Sequence, residues 1–212
     1  MSRYDADDVY CIPGTAVLKN KAGITDQDQL DEYEGDFTAI RLLELTQSPV
    51  EGSFDLAHLC KIHQYLFQDV YEWAGEVRSV DIIRGESRFC NVRHIQSYSS
   101  TVFSALAAEK YLVNLEPEVF ANRLAHYLSE INAIHPFREG NGRVQRLFIS
   151  QLAEQAGYTL DYSALDQAEL YPRDAGIISW EHTAASRLDF KNHRLSAETR
   201  HFGGTQVALI NM

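Results

Sequence analysis

With 212 residues, the chain can build one full hydrophobic core but not a second large domain. Hydrophobic residues make up 45% and charged residues 23%, as in ordinary globular proteins, and the formal net charge of −11 repels nucleic acid over most of the surface. No apolar run is long enough to span a membrane, no secretory signal is recognisable, and the three cysteines lack paired spacing, so we expect a cytoplasmic protein without membrane or direct nucleic-acid contact.

The first predicted helix follows an arm of irregular sequence. Residues 1–24 contain one proline and two glycines and read as an extended or looped arm. Thr25 and Asp28 are spaced as a capping pair, so we predict that a helix begins there. Apolar residues then recur at helical spacing until Ser48 and Pro49 end the pattern.

A second helix and a hairpin are predicted next. Ser53 begins the helix, whose apolar stripe continues to Trp73 and stops at Gly75. Between residues 78 and 90 the period changes to that of an extended chain. This change predicts a short β-hairpin.

The chain beyond the hairpin is predicted to be mostly helical. One helix runs from about 94 to 110, and another begins at Pro117, because proline is favoured in a first turn. A further helix follows residue 142 and is closed by Gly157. Beyond Asp161 the periodicity weakens, and we predict two or three short helices.

A loop between two of these helices carries residues suited to binding phosphate. Residues 135–146 read HPFREGNGRVQR. Gly140 and Gly142 lack Cβ atoms, so their backbone amides can approach an anion. The helix that follows offers unpaired N–H groups and a positive dipole end. Arg143 and Arg146 lie three apart on one side of that helix and can both face the phosphates.

Three further side chains of the loop complete a nucleotide site. Asn141 can add a donor for phosphate, Glu139 supplies a hard anionic oxygen suited to Mg²⁺, and His135 can take a proton near neutral pH. Each residue alone has a structural explanation, such as a helix cap or a turn. Their joint occurrence favours nucleotide chemistry, and the P-loop and dinucleotide patterns are both absent.

This loop resembles the signature of the Fic family. Residues 135–146 match every position of HPFx[DE]GNGRxxR. The resemblance also includes LFQDVYEWAGEVRSVDI at 66–82 and RFC at 88–90, and it extends over roughly residues 17–165. It implies an all-α Fic fold, a helical bundle with a small β-hairpin flap over the active site.

The predicted elements, together with the extent of the resemblance, predict a domain organisation. Residues 1–24 are the N-terminal arm, and residues 25–165 are the Fic core. Residues 166–212 are a C-terminal helical extension of the same domain, and the tail from about residue 171 onward has no counterpart in the resemblance.

As an activity, the resemblance implies a protein adenylyltransferase, which moves AMP from ATP to a hydroxyl of a target protein. By the family pattern, His135 deprotonates that hydroxyl and Glu139 binds Mg²⁺. Gly142 favours AMP transfer over phosphorylation, because a kinase-like branch of the family has lysine there. The residues implied in phosphate binding are Gly140, Asn141, Gly142, Arg143 and Arg146.

The resemblance assigns the hairpin at residues 78–90 to target binding. Its exposed strand edge can pair with the target's backbone and bring the hydroxyl to His135. Ile82 and Ile83 are explained equally well by this role and by core packing.

Regulation in the family often uses an inhibitory helix with the pattern [ST]xxxE[GN]. Ser150 with Glu154 is the one pair here with that first spacing, but Gln155 follows and the segment lies in the helix after the loop. The resemblance therefore implies a separate small antitoxin, as in the toxin–antitoxin branch, and type II topoisomerases as targets through their ATPase subunits.

Two other functions remain open at this stage. The chain is alternatively a catalytically silent module that binds nucleotide or an antitoxin, although such a module needs neither His135 nor Glu139. A second alternative is transfer of phosphate, UMP or phosphocholine on the same scaffold.

A metal site at His58, Cys60 and His63 is disfavoured, since the side chains of residues two apart on a helix point in different directions.

Overall fold

A computed structural model describes residues 9–84, 87–161 and 189–192 of the chain. The α-helices of these residues are α1 Gln27–Gln47, α2 Leu56–Phe67, α3 Ile95–Ala108, α4 Pro117–Ile134 and α5 Asn141–Gln155. The strands are β1 Ile83–Arg84, β2 Ser87–Arg88, β3 Tyr158–Asp161 and β4 Asp189–Asn192, and short 3-10 helices lie at Val92–His94 and Lys110–Leu112. The predicted all-α bundle with a small hairpin is confirmed.

The core lies where α5 packs against α2 and α4. The inner face of α5 presents Val144, Phe148 and Leu152, which are fully buried at the four-residue spacing of one helix face. Helix α1 packs on α2, and α3 packs on α4, so the central pair is covered on both sides. None of the helices in this described part of the chain combines the length and apolar character needed to span a lipid bilayer.

Acidic residues one step before the first two helices cap them, which corrects the predicted starts. The side chain of Asp26 accepts a hydrogen bond from the backbone N–H of Gln29 at 3.0 Å, so the predicted pair of Thr25 and Asp28 is not the cap. Asp55, rather than Ser53, caps α2. An N-cap carboxylate satisfies a first-turn N–H and favours the positive end of the helix dipole.

Helix α2 ends earlier than the apolar stripe predicts. It stops at Phe67, while Val70 and Trp73 are buried in the turns that follow. A stripe of buried residues continues through these turns because they still lie on the core, so periodicity alone overextends the helix. Gly75, with φ +88°, ends this segment.

The first hairpin is shorter than predicted. Strands β1 and β2 pair antiparallel over two residues each, with Ile83 opposite Arg88. The side chain of Asp81 accepts hydrogen bonds from the Asn91 side chain and the Val92 N–H, both at 2.7 Å. At the base of the hairpin, a carboxylate thus replaces the backbone pairing of two strands. Ile82 is buried, as expected for core packing, whereas Ile83 is 54% exposed, as expected for target binding.

A second strand pair was not predicted. Strand β3 pairs antiparallel with β4, with Tyr158 opposite Asn192. Residues 189–192 therefore form a strand inside the predicted helical extension at 166–212. The two or three short helices predicted beyond Asp161 otherwise lie outside the described residues.

A buried arginine joins the base of the first hairpin to the end of α4. The side chain of Arg78 is fully buried, and its guanidinium donates to the carbonyls of Val80 at 2.6 Å, Cys90 at 2.5 Å and His135 at 2.8 Å. The backbone adds two bonds, from Arg78 N–H to the Pro136 carbonyl and from Cys90 N–H to the carbonyl at the end of α4. Burial lowers the pKa of Arg78, but its cation also lies at the negative end of the α4 dipole.

We predict that Arg78→Met destabilises the fold by about 3 kcal/mol, because several buried carbonyls lose their charged donor. Urea unfolding followed by circular dichroism measures this change. Arg93→Met, which removes an exposed arginine from the same region, is the matched control and changes stability by no more than about 0.5 kcal/mol. Equal stability of the two variants contradicts the role given to Arg78.

Candidate active site

His135 lies at the C-terminal cap of α4 in a left-handed conformation, with φ 47° and ψ 62°. Pro136 follows it, and a proline disfavours the right-handed helical region for the residue before it. The His135 N–H donates to the Ile131 carbonyl at 3.1 Å, and its carbonyl accepts from Arg78 at 2.8 Å. These bonds hold a conformation that is uncommon for residues other than glycine.

Phe89, from the base of the hairpin, lies against the imidazole of His135. The two ring centroids are 3.7 Å apart and the ring planes differ by 17°. The sequence analysis did not find this contact, because the two residues are far apart in the chain and Phe89 has no polar signature.

The side chain of Asn141 fixes the backbone conformation of the loop. Its side-chain oxygen accepts from the Phe137 N–H at 2.9 Å, and its amide nitrogen donates to the Phe137 carbonyl at 2.7 Å. Asn141 is buried, and these two hydrogen bonds hold the turn between His135 and α5. A direct role on phosphate was predicted for this amide; in the structure, both its oxygen and its nitrogen bind the loop's own backbone.

Gly140 is the N-cap residue of α5 and has a left-handed conformation with φ +79°. A Cβ atom on it would lie 2.2 Å from the ring of Phe67, which is fully buried. The cap of α5 thus has no side chain, and no capping side chain covers the N–H groups of its first turn. Such a helix start is suited to binding an anion.

Glu139 brings a carboxylate to the same point. Its Oε1 accepts from the Gly140 N–H at 2.9 Å and lies 3.7 Å from the guanidinium of Arg143. The side chain is partly exposed, at 17%. A hard oxygen that solvent can reach beside an anion site fits Mg²⁺, which binds proteins through one or two carboxylates and bridges to phosphate.

Arg143 points toward α1. Its guanidinium pairs with Glu34 at 2.5 Å, donates to the Thr38 hydroxyl at 3.2 Å and lies 4.7 Å from the centre of the Phe67 ring. The hydroxyl of Tyr71 also donates to Glu34, which holds the carboxylate in place. Arg143 is therefore positioned by an ion pair that is largely shielded from water.

Glu34 was missed by the sequence analysis. Gly35 follows it, as in the inhibitory pattern, but Leu30 stands where that pattern has serine or threonine. Glu34 therefore matches the inhibitory pattern incompletely, and its partner in the structure is Arg143. The guanidinium of Arg146 lies beside Gly142, since a Cβ there would be 3.4 Å from its Nη1 atom.

His63 supports the loop from α2. Its Nδ1 accepts from the Gly75 N–H at 2.7 Å, so its Nε2 carries the proton and donates to the Glu139 carbonyl at 3.1 Å. Its ring stacks on Phe137 with centroids 4.1 Å apart. Burial lowers the pKa of His63 to about 3, which keeps the ring neutral with this tautomer.

The other residues weighed in the sequence have structural roles. His58 bonds through Nε2 to the Val50 carbonyl at 2.9 Å, and burial raises the pKa of the Cys60 thiol to about 11, which disfavours a metal-binding thiolate. In residues 9–84, 87–161 and 189–192, no group of three or more His, Cys, Asp and Glu side chains is arranged for a metal. Ser150 and Glu154 lie within α5, as predicted.

Comparison with known proteins gives consistent matches. The model of the Fic/DOC family matches residues 53–153. The protein adenylyltransferase VbhT of Bartonella schoenbuchensis is 44% identical over 171 residues, which are 80% of this chain and 36% of VbhT. The probable protein adenylyltransferase y4lH of Sinorhizobium fredii is 45% identical over 168 residues, 78% of this chain and 86% of y4lH. The chain thus spans about a third of VbhT but most of y4lH.

A solved structure extends the likeness to the fold. The crystal structure of BepC, a VirB-translocated effector protein of Bartonella tribocorum with bound AMPPNP, matches with a TM-score of 0.77 and 25% sequence identity. The match covers 86% of this chain and 97% of that chain. The chain therefore shares its fold with BepC, whose crystal structure contains AMPPNP.

We predict that His63 makes the fold sensitive to acid. The unfolded chain protonates this histidine below about pH 6.5, whereas the folded protein does so only near pH 3, so stability falls as the pH drops across this window. From about pH 7.5 to about pH 5.5, the free energy of unfolding should fall by about 1.4 kcal/mol more in the wild type than in His63→Gln.

Urea unfolding at the two pH values measures this difference. His94→Gln, at an exposed histidine, is the control and keeps the wild-type dependence. If His63→Gln is too unstable to measure, NMR of the wild type decides, because the His63 ring should not titrate between about pH 5 and pH 8. A titration there contradicts the prediction.

We also predict that the fold tolerates alanine at Gly142 but not at Gly140. Gly140→Ala combines a left-handed backbone with a clash against Phe67 and should lower stability by about 2 kcal/mol or more. Gly142→Ala meets its nearest atom at 3.4 Å and has no positive φ, so it should change stability by less than about 1 kcal/mol. Thermal unfolding of the two variants measures both effects, and similar losses would contradict this reading of the loop.

Proposed function

The chain belongs to the Fic/DOC family, and we propose that it transfers AMP from ATP to a hydroxyl group of a target protein. The observation that carries this proposal is the loop from His135 to Arg146. It joins a histidine with a fixed backbone, a partly exposed carboxylate and a helix start without a capping side chain. The names of VbhT and y4lH as adenylyltransferases support the same activity.

In the proposed reaction, His135 acts as the general base. Its imidazole takes the proton of a serine, threonine or tyrosine hydroxyl as that oxygen attacks the α-phosphorus of ATP. The new P–O bond replaces the bond to the β-phosphate oxygen, and pyrophosphate leaves with the electrons of that bond. General-base catalysis of this kind contributes roughly 10²–10⁴-fold to the rate.

We assign the triphosphate to the start of α5. The first-turn N–H groups after Gly140 and the positive dipole end favour the α- and β-phosphates, with Asn141 acting by shaping the turn. The guanidinium of Arg146, beside Gly142, is assigned to the terminal phosphates. Arg143 is assigned to the β-phosphate because its guanidinium lies 3.7 Å from the Glu139 carboxylate.

Glu139 is the residue we propose to hold Mg²⁺. When bound, the ion neutralises charge on the phosphates, which favours departure of pyrophosphate. Before that, the carboxylate is oriented by its contact with the Gly140 N–H and by His63, which holds the Glu139 carbonyl.

We propose that the target docks on the hairpin. Ile83, in β1, is 54% exposed beside a strand edge, which suits pairing with an extended segment of another protein. From the family resemblance, ATPase subunits of type II topoisomerases are candidate targets, in the cytoplasm. A separate small antitoxin is the proposed inhibitor, since Ser150 with Glu154 matches the inhibitory pattern incompletely.

We predict that His135→Ala lowers AMP transfer by at least about 10²-fold, while ATP affinity changes by less than about 3-fold, because the imidazole acts on the proton and not on the phosphates. Incubation with Mg²⁺, a lysate or purified ATPase subunits, and ATP labelled at the α-phosphate measures transfer; calorimetry measures binding.

Matched reactions distinguish the other activities. ATP labelled at the γ-phosphate tests for phosphorylation, and labelled UTP and CDP-choline test for UMP and phosphocholine transfer. Label retained from only the α-phosphate of ATP, and lost in His135→Ala, supports the proposal. Nucleotide binding without any transfer would identify a silent binding module, and undiminished transfer by His135→Ala would overturn the role of this histidine.

A further inference from the structure

We propose that Phe89 is a positioning residue for His135: its ring sets the orientation of the imidazole and couples the catalytic base to the hairpin. This inference rests on the proposed function, because it concerns how the base of that reaction is held. Phe89 lies outside the loop that carries the family signature and touches the reaction only through His135.

The backbone of His135 is already fixed at both ends. Its N–H is bound to the Ile131 carbonyl, and its own carbonyl is bound to the buried guanidinium of Arg78. The freedom that remains is rotation of the side chain about its two torsions. Since proton transfer requires a heavy-atom distance of about 2.6–3.2 Å, the direction of the ring nitrogen decides whether His135 works as a base.

The ring of Phe89 restricts that rotation. With centroids 3.7 Å apart and planes within 17°, the phenyl ring covers one face of the imidazole. Turning the imidazole about its ring axis would drive its edge into the phenyl ring. Aromatic pairs contribute about 0.5–1.5 kcal/mol beyond burial, enough to favour one orientation about 2- to 10-fold. An imidazole misplaced by about 1 Å can cost 10²-fold in rate.

Phe89 is in turn held by the base of the hairpin. Its N–H donates to the Ile82 carbonyl at 3.4 Å. The next residue, Cys90, donates its N–H to the Ala133 carbonyl at 2.9 Å and accepts from Arg78 at 2.5 Å. Arg78 therefore fixes both the carbonyl of His135 and the chain beside Phe89. The backbones that carry the two stacked rings are thus bound to the same guanidinium.

This arrangement makes the hairpin part of the catalytic machinery. Strand β1 pairs with β2, and β2 leads directly into Phe89, so a target paired with the edge of β1 lies on the same hairpin that carries the ring stacked on His135. Phe89 is only partly buried, unlike the core aromatic residues, so its removal leaves no large cavity in the bundle. Loss of activity in a Phe89 variant can therefore be separated from loss of the fold.

The test compares Phe89→Leu, which removes the flat ring, with Phe89→Tyr, which keeps it. We expect Phe89→Leu to lower kcat for AMP transfer by about 10-fold or more, with KM for ATP changed by less than about 2-fold, and Phe89→Tyr to retain most of the activity. Val119→Ala, which trims an exposed side chain on α4, is the control for surface truncation and leaves kcat unchanged.

NMR gives a readout that does not depend on activity. A phenyl ring stacked at 3.7 Å shifts the ring-proton signals of His135 upfield, and the shift should disappear in Phe89→Leu and persist in Phe89→Tyr. The inference is overturned if Phe89→Leu keeps wild-type kcat, if its loss appears entirely as a higher KM for ATP, or if the His135 signals show no shift. If the wild type transfers no AMP, the proposed function fails, and the NMR comparison alone decides whether Phe89 holds His135.

Discussion

The buried guanidinium of Arg78 donates hydrogen bonds to carbonyls at both ends of the hairpin and at the end of α4. Burying this cation is unfavourable unless its donors are satisfied, so the three carbonyls and the cation require one another. The consequence is geometric: the hairpin cannot shift relative to His135 without breaking charged hydrogen bonds of a buried guanidinium. A two-residue strand pair, which is unstable by itself, becomes a fixed wall of the active site.

Where local structure depended on local sequence, the sequence predicted it well. The residues of the proposed chemistry are consecutive at 135–146, and the backbone demands of this loop are visible in the residue types: Pro136 turns the chain out of α4, and Gly140 adopts φ +79°. Helix α4 begins at Pro117, as predicted, because proline tolerates a first turn whose N–H has no helical partner. These backbone features are decided by neighbours within a few residues, whereas the contact of Gly140 with Phe67 is long-range.

The residues that were missed act across long separations. Glu34 reaches Arg143 over 109 positions, and His63 reaches Glu139 over 76. Composition gives no sign of such pairs: Glu34 is one of many acidic residues on a helix, and His63 looked like a weak metal candidate. The caps at Asp26 and Asp55 were missed for a smaller reason, since each helix start offers several adjacent polar residues and the backbone decides among them. Strand β4 could not be predicted because its pairing with β3 is long-range.

The missed contacts also explain why the loop needs a whole domain around it. Three elements reach it from different directions, and each secures a different group: α1 holds Arg143 through Glu34, α2 holds the Glu139 carbonyl through His63, and the hairpin holds His135 through Phe89. The proposed phosphate ligand, metal ligand and base are therefore each held by a different element, and Arg143 and Glu139 also lie 3.7 Å apart. A target bound to the hairpin therefore lies on the element that contacts the proposed base through Phe89, whereas the contacts of Arg143 and Glu139 come from α1 and α2.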